Sequence, residues 1–276
     1  DGHIQIIIPY KAATGPIMIR KDSIDVFSEQ ELLVRYAVTN SINSPINLIN
    51  INQNGGYSWN LHENLMNNSG ASEIVKKSIT DWVCATAVPW NIDTITSMEQ
   101  AKDGICTISF GKLSNSANAM GQARLFSIST PSSGNDSWVL EEVDIVFADD
   151  INFCFSNNCE GENQFDFKTV VLHELGHAHL ISHVNDINDL MHYGLSKGEI
   201  RDMNTTNTEC GKYIIDFSKQ LNHPSYSTII SNEIIQPSIM TNGEILVSLN
   251  DYSSYKWVNS GNEILNAIEI TFKLEK

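Results

Sequence analysis

The stretch LHELGHAHLISHVNDINDLMHYG, residues 172–194, constrains this chain more than any other. His173 and His177 stand four positions apart inside a segment of helical pattern, QFDFKTVVLHELGHAHL. At about 100° per residue their imidazoles project from one face, about 40° apart and one turn from each other. Val171, Leu175 and Ala178 fall on another side and give an apolar stripe. The helix is therefore expected to turn a dry face to a sheet and an imidazole face to a cleft. Glu174 lies about 100° from His173, beside the pair rather than on it. His183 would point away on a continuous helix. It joins the other two only if the helix ends near Leu180 and the chain turns back.

Upstream, GYSWNL reads as a strand. ASEIVKKSITDWVCATA follows as a helix, with Ala71, Ile74, Val75, Ser78, Ile79, Trp82 and Val83 on one face. PWNID, GICTISFG, QARLFSIST and VLEEVDIVFAD read as four further strands, ahead of the histidine helix. IVFA is apolar at consecutive positions, as suits a strand covered on both faces. This order implies an α+β fold. After Gly194, Ser196 and Glu199 have capping-box spacing, which predicts a helix start. CGKYIIDFSKQL predicts another helix, ending before His223-Pro224.

Three imidazoles form the ligand set of a catalytic zinc ion, which takes three protein ligands and leaves its fourth position to water. Zinc lowers the pKa of that water to about 7. Glu174, adjacent but not a ligand, is the expected general base and then acid. Tyr193 could offer a hydroxyl to a developing oxyanion.

H-E-x-x-H-x-x-x-x-x-H followed by a methionine is the signature of the metzincin zinc peptidases, and this sequence resembles them, nearest to the matrixin-like bacterial type. The resemblance implies that His173, His177 and His183 hold zinc, that Glu174 is the base, and that Met191 forms a hydrophobic floor under the histidines. Met191 follows His183 by the eight positions of the matrixin spacing, whereas Met-His-Tyr resembles the astacin turn and so implicates Tyr193. The resemblance covers about residues 57–222. It implies a five-stranded mixed sheet with a long early helix, the zinc helix after the fifth strand, and C-terminal helices. It also implies that extended protein or peptide substrate pairs with the edge strand near 122–128. Matrixins bind structural calcium, which makes Asp144, Asp149 and Asp150 candidate ligands, against the plainer reading of solvated loop carboxylates. One departure stands out: Leu180 occupies the place of the usual glycine between the second and third histidines. Glycine reverses a chain with positive φ, a conformation that costs leucine about 1 kcal/mol or more, so the turn must use another geometry or strain.

The flanks are β-rich. Residues 1–45 carry IQIII, GPIMI and ELLVRYAV, and IQIIIPYKAATGPIMI resembles the late strands of an IPT/TIG-type immunoglobulin-like domain. Residues 41–56 have the Asn, Ser and Gly composition of a linker. The zinc domain is then 46–225. Residues 226–276, with EILVSLN, YKWVN and AIEITFKL, resemble part of an Ig-like module.

The 276 residues carry a formal charge of −16, which disfavours nucleic acid as a partner. The sequence has no apolar run long enough to span a membrane. It opens at Asp1 and is read as a processed form or an excised piece. Cys154 and Cys159 flank the polar FSNN and suit a disulfide; Cys84 and Cys106 could form a second, leaving Cys210 over. Disulfides imply a secreted or cell-surface setting. His179 is expected to be structural or on the surface, His3, His62, His192 and His223 ordinary, and Trp82 and Trp90 core residues. The expected function is that of a secreted zinc endopeptidase. The competing readings are a non-catalytic, zinc-stabilised binding or adhesin-like module and a zinc hydrolase of a non-protein substrate.

Overall fold

In this computed structural model the described residues are 14–35, 37–41, 44–48, 58–98, 100–113, 119–130, 137–156 and 159–219, with five short strands between 239 and 273. IQIII lies outside them. Two compact units, Asp1–Ser231 and Asn232–Lys276, make up the chain. No helix among the described residues is long and apolar enough to cross a membrane.

The larger unit begins with an antiparallel hairpin, β1 (Gly15–Lys21) and β2 (Ile24–Leu32), turning through Asp22 and Ser23 at positive φ. ELLVRYAV was expected to be a strand, but β2 stops at Leu32, and of the residues beyond it Val38 makes an isolated bridge. The stretch read as linker contains β4 (Ser44–Leu48), which pairs with β3 (Asn40–Ser41) and lies parallel to the strand Ser137–Ala148.

The sheet that positions the site is built from β5 (Ser58–His62), β6 (Asn91–Thr96), β7 (Cys106–Gly111), β8 (Gly121–Thr130) and β9 (Ser137–Ala148). These five run in the spatial order β6-β5-β7-β9-β8. All neighbours are parallel except β8, which pairs antiparallel with β9 and with no other strand among the described residues. The fold is thus mixed α/β, in the expected α+β class: these five strands form a mixed sheet, to which β4, and β3 through it, add beside β9.

Between β5 and β6 run α1 (Glu63–Met66) and α2 (Ser69–Thr86). Asn68 caps α2 by accepting from the Ala71 amide, and Ala87 ends it in the left-handed region. The buried side of α2 includes Ala71, Val75, Ser78, Ile79 and Trp82, as the sequence period predicts. After β10 (Phe153–Cys154) and β11 (Phe165–Asp166), Asp166 caps α3 (Phe167–Ala178) through a 2.7 Å bond from the Thr169 amide. Phe167 anchors this end of α3 among Phe110, Phe147, Phe153 and Phe155. The indole of Trp82 donates to the Leu172 carbonyl, bracing α3 against α2. Trp82 and Trp90 are both core residues, and the core continues through Trp59, Ile108, Ile145, Leu172 and Leu175.

Two helix expectations change. The Ser196 amide does donate to Glu199, but the contact closes a turn rather than opening a helix. Gly198 at φ +72° reverses the chain there, and its N–H and C=O bond to Gln164 and Gly161. The helix comes later, as α4 (Thr205–Lys219). It starts ahead of the expected Cys210 because Asn204 accepts from the Asn207 amide.

The cysteines also need one correction. Cys154 and Cys159 are bonded, whereas Cys84 and Cys106 are not. Cys84 is exposed on α2; Cys106 is buried in β7, its sulfur accepting from the Val143 amide. Cys210 is a buried free thiol.

The smaller unit pairs β12 (Ile239–Thr241), β13 (Ile245–Ser248) and β16 (Thr271–Lys273) antiparallel, and separately β14 (Val258–Asn259) with β15 (Asn262–Glu263).

Candidate metal centre

The histidine helix ends where the third histidine needs it to. Leu180 adopts φ +65°, its N–H bonds to the His177 carbonyl, and the Ile181 N–H bonds to the Gly176 carbonyl. This pair of bonds is a Schellman stop, with leucine in the left-handed place that glycine usually fills. The leucine side chain is buried, so apolar burial offsets the backbone strain. The chain then doubles back and brings His183 to the other two.

The Nε2 atom of His183 lies 3.2 Å from that of His173 and 3.0 Å from that of His177. The Nδ1 atoms of His173 and His177 each lie 2.8 Å from a backbone carbonyl, of Leu190 and Ile181 respectively. A carbonyl only accepts, so Nδ1 carries the proton in both rings and Nε2 presents a lone pair. Burial, followed by the neighbouring His177, holds His173 well below the usual imidazole range, and burial lowers His177 as well. The three imidazoles converge on one point, and among the described residues this is the one group of three such side chains that could hold a metal ion.

Met191 is fully buried. Its sulfur packs so close to Gly176 that a Cβ there would meet it at 2.5 Å. The turn carrying Met191 is organised by Asp189, a buried carboxylate that accepts from the Met191 amide and from the side-chain amides of Asn204 and Asn207. The Val184 N–H bonds to the Met191 carbonyl and ties the arm of His183 to this turn.

Glu174 is buried beside the triad. Burial pushes its carboxyl up to about 8, opposed by a hydrogen bond from the Ala123 amide of β8. Gly121, at the start of the same strand, leaves the space Glu174 occupies: a Cβ there would fall 2.7 Å from Cγ and 2.8 Å from Oε1. The histidines and Glu174 line a cleft of about 300 Å³ together with Gln122, Ala123, Leu190, Tyr193, Leu195 and Arg201. Tyr193 sits at the rim, 69% exposed, its ring 6.4 Å from that of His183 and stacked obliquely on His192. Arg201 is buried and bonded to Glu199, and its backbone N–H and C=O both bond to the Thr169 hydroxyl, pinning the cleft wall to the first turn of α3.

The sequence reading therefore has its three histidines, Glu174 and Met191 brought together, with Tyr193 at the edge. It missed Gly121, Ala123 and Asp189. No local pattern marks them, because each acts through a contact that is distant in sequence or made by its backbone. Asp144, Asp149 and Asp150 do not converge: Asp144 is buried and accepts from the Thr107 amide, while the other two are exposed. His179 is buried and structural, its Nε2 2.9 Å from the Thr86 hydroxyl and its ring against Trp82 and Trp90. No protein-family model matches this chain, and no curated protein matches it.

Proposed function

We propose that the chain is a zinc-dependent endopeptidase of metzincin type, acting in a secreted or cell-surface setting. The observation that carries the reading is the convergence of three imidazole nitrogens beside one buried glutamate, in a cleft bordered by a strand edge that is unpaired among the described residues. His173, His177 and His183 would hold the zinc, which when bound supplies an acidified water and polarises a carbonyl.

The protein's own groups divide the remaining work. Glu174 accepts a proton as water attacks and returns it to the leaving amine. Burial raises its proton affinity, which suits return of the proton to the amine, and the charge of a bound zinc would favour the ionised form it must start from. The Ala123 amide and the gap at Gly121 hold that carboxylate in place. Tyr193 at the rim offers a hydroxyl donor to the oxyanion side. The edge of β8 near 122–128, unpaired among the described residues, would take an extended peptide by strand addition, which favours a polypeptide over a small substrate. The Cys154–Cys159 disulfide supports an oxidising setting.

The test compares the chain with Glu174→Ala, measuring bound zinc and cleavage of casein or gelatin, with and without a chelator. Both proteins should hold one zinc, and the wild type alone should cleave, chelator abolishing it. Zinc bound by both with cleavage by neither would favour a zinc-stabilised binding module.

A further inference from the structure

The turn that delivers the third histidine is held from far upstream. The Thr39 N–H donates to the Leu180 carbonyl at 2.8 Å, and the Ser182 N–H donates to the Ala37 carbonyl at 2.8 Å. Val38 and Ile181 face each other between these bonds as an isolated antiparallel bridge. Both bonds are backbone to backbone, so no side-chain motif announces them. They grip the residues on either side of Ile181, whose own carbonyl accepts from His177 Nδ1. Three consecutive residues are thereby committed. Leu180 and Ser182 are bonded to residues 37–39, and Ile181 orients a metal histidine.

The turn needs such support. Leu180 sits at φ +65°, a strained conformation for a non-glycine residue that persists where the surroundings over-determine it. The Schellman bonds fix only the helix side of the turn. Residues 37–39 fix the outgoing side, where the chain leaves toward His183. The strap is itself backed by the core and by α4: Val38 packs on buried apolar residues, Cys210 of α4 lies against the Ala37 carbonyl, and Arg35 pairs with Glu209. The upstream end of the strap is thus held by α4, none of whose residues lines the metal cleft.

We propose that residues 37–39 are a positioning strap that pre-sets the metal-binding turn, holding the Ile181 carbonyl against His177 and aiming His183 before any metal arrives. The proposal rests on the reading of His173, His177 and His183 as a metal site. Carbonyls and carboxylates that orient ligand imidazoles are worth about 10–100-fold in metal affinity when lost, and the strap acts on such a carbonyl at one remove.

The test uses the full chain. Thr39→Pro removes the N–H that bonds to Leu180; Thr39→Ala keeps it and serves as the control. Zinc affinity is measured by competition with a chromogenic chelator, and site geometry by the visible absorption of the cobalt(II)-loaded protein. Thr39→Pro should bind zinc about 10–100-fold more weakly and show a changed cobalt spectrum, with a far-ultraviolet circular dichroism spectrum like that of the wild type. Thr39→Ala should match the wild type in all three. A Thr39→Pro protein that binds zinc as tightly as the wild type overturns the strap. If Thr39→Pro does not fold, amide exchange in the metal-free wild type decides instead. Strong protection of the Ser182 amide supports pre-setting, and free exchange refutes it. A wild-type chain that takes up neither zinc nor cobalt defeats the metal reading itself, and with it the strap. Uptake by the wild type with equal uptake by Thr39→Pro defeats the strap alone.

Discussion

Gly121→Ala should separate metal binding from peptide cleavage. The added Cβ would stand 2.7 Å from Glu174 Cγ, 2.8 Å from Oε1 and 3.0 Å from Cδ. Carbon atoms in ordinary contact stay about 3.5–4.0 Å apart, so Glu174 must move by about 1 Å. Such a misplacement of a reacting group costs about 100-fold in rate, or about 2.7 kcal/mol of barrier. The fold has little reason to suffer, since exchanging glycine for alanine inside a strand gains about 0.5–1 kcal/mol. The histidines should not notice either, because their Nδ1 partners are the Leu190 and Ile181 carbonyls, away from β8. The assay is steady-state cleavage of an internally quenched peptide, with zinc stoichiometry measured on the same samples. The expected result is one zinc per chain with kcat/KM lowered about 100-fold. Wild-type cleavage by Gly121→Ala would refute the claim that the gap at Gly121 fixes the base. Loss of zinc would refute the separation of the two functions.

Three further outcomes follow from the geometry. His183→Ala leaves two imidazoles, and its zinc affinity, read by chelator competition, should fall by more than the roughly 10–100-fold typical of a lost outer partner. Leu180→Gly relieves about 1 kcal/mol of backbone strain but empties a buried leucine site worth about 2–5 kcal/mol, so its net effect on thermal unfolding should be destabilising. Asp144 is held up to about 7, chiefly by burial, and its raised folded value means that its contribution is fully present below the unfolded value of about 3.9 and is lost as pH rises through 7. Asp144→Asn, which can keep the bond from the Thr107 amide, should therefore melt above the wild type at pH 8, by at most about 4 kcal/mol of stability, with the gap closing toward pH 4.

The candidate metal ligands His173 and His177 were legible because their spacing is a local property: four positions on a helix put two imidazoles on one face whatever the rest of the chain does. β7, β9 and α2 were legible from their local apolar patterns, whereas ELLVRYAV beyond Leu32 and β4 inside the expected linker were misread. The end of α3 was harder. Glycine would have announced a reversal at position 180, and leucine did not, because the signal for a stop normally lies in the residue that tolerates positive φ. Here the stop is instead enforced by bonds that Leu180 and Ile181 accept and donate through their backbones, and by burial of the leucine itself. The capping-box reading at Ser196 failed in the complementary way. The predicted side-chain contact formed, yet Gly198 and its bonds to the 161–164 loop turned the chain away from a helix. Local chemistry was read correctly there, and a non-local pairing decided what it was used for.

The same distinction explains why the second disulfide was wrongly expected and the first was not. Cys154 and Cys159 are five positions apart, so one short loop brings them within bonding reach. Cys84 and Cys106 belong to different layers, one on the exposed side of α2 and the other inside β7, and only the sheet order could reveal that. The site follows this pattern throughout. The residues that would touch a metal or a proton are written in one short stretch, 172–194. Those that hold them still, Gly121, Ala123, Asp189 and the backbone of 37–39, are scattered and carry no chemical label. If the chain is a peptidase, its catalytic competence is set as much by that scattered group as by the histidines. A substitution at Gly121 should then abolish most of the activity while leaving every residue of the 172–194 stretch in place.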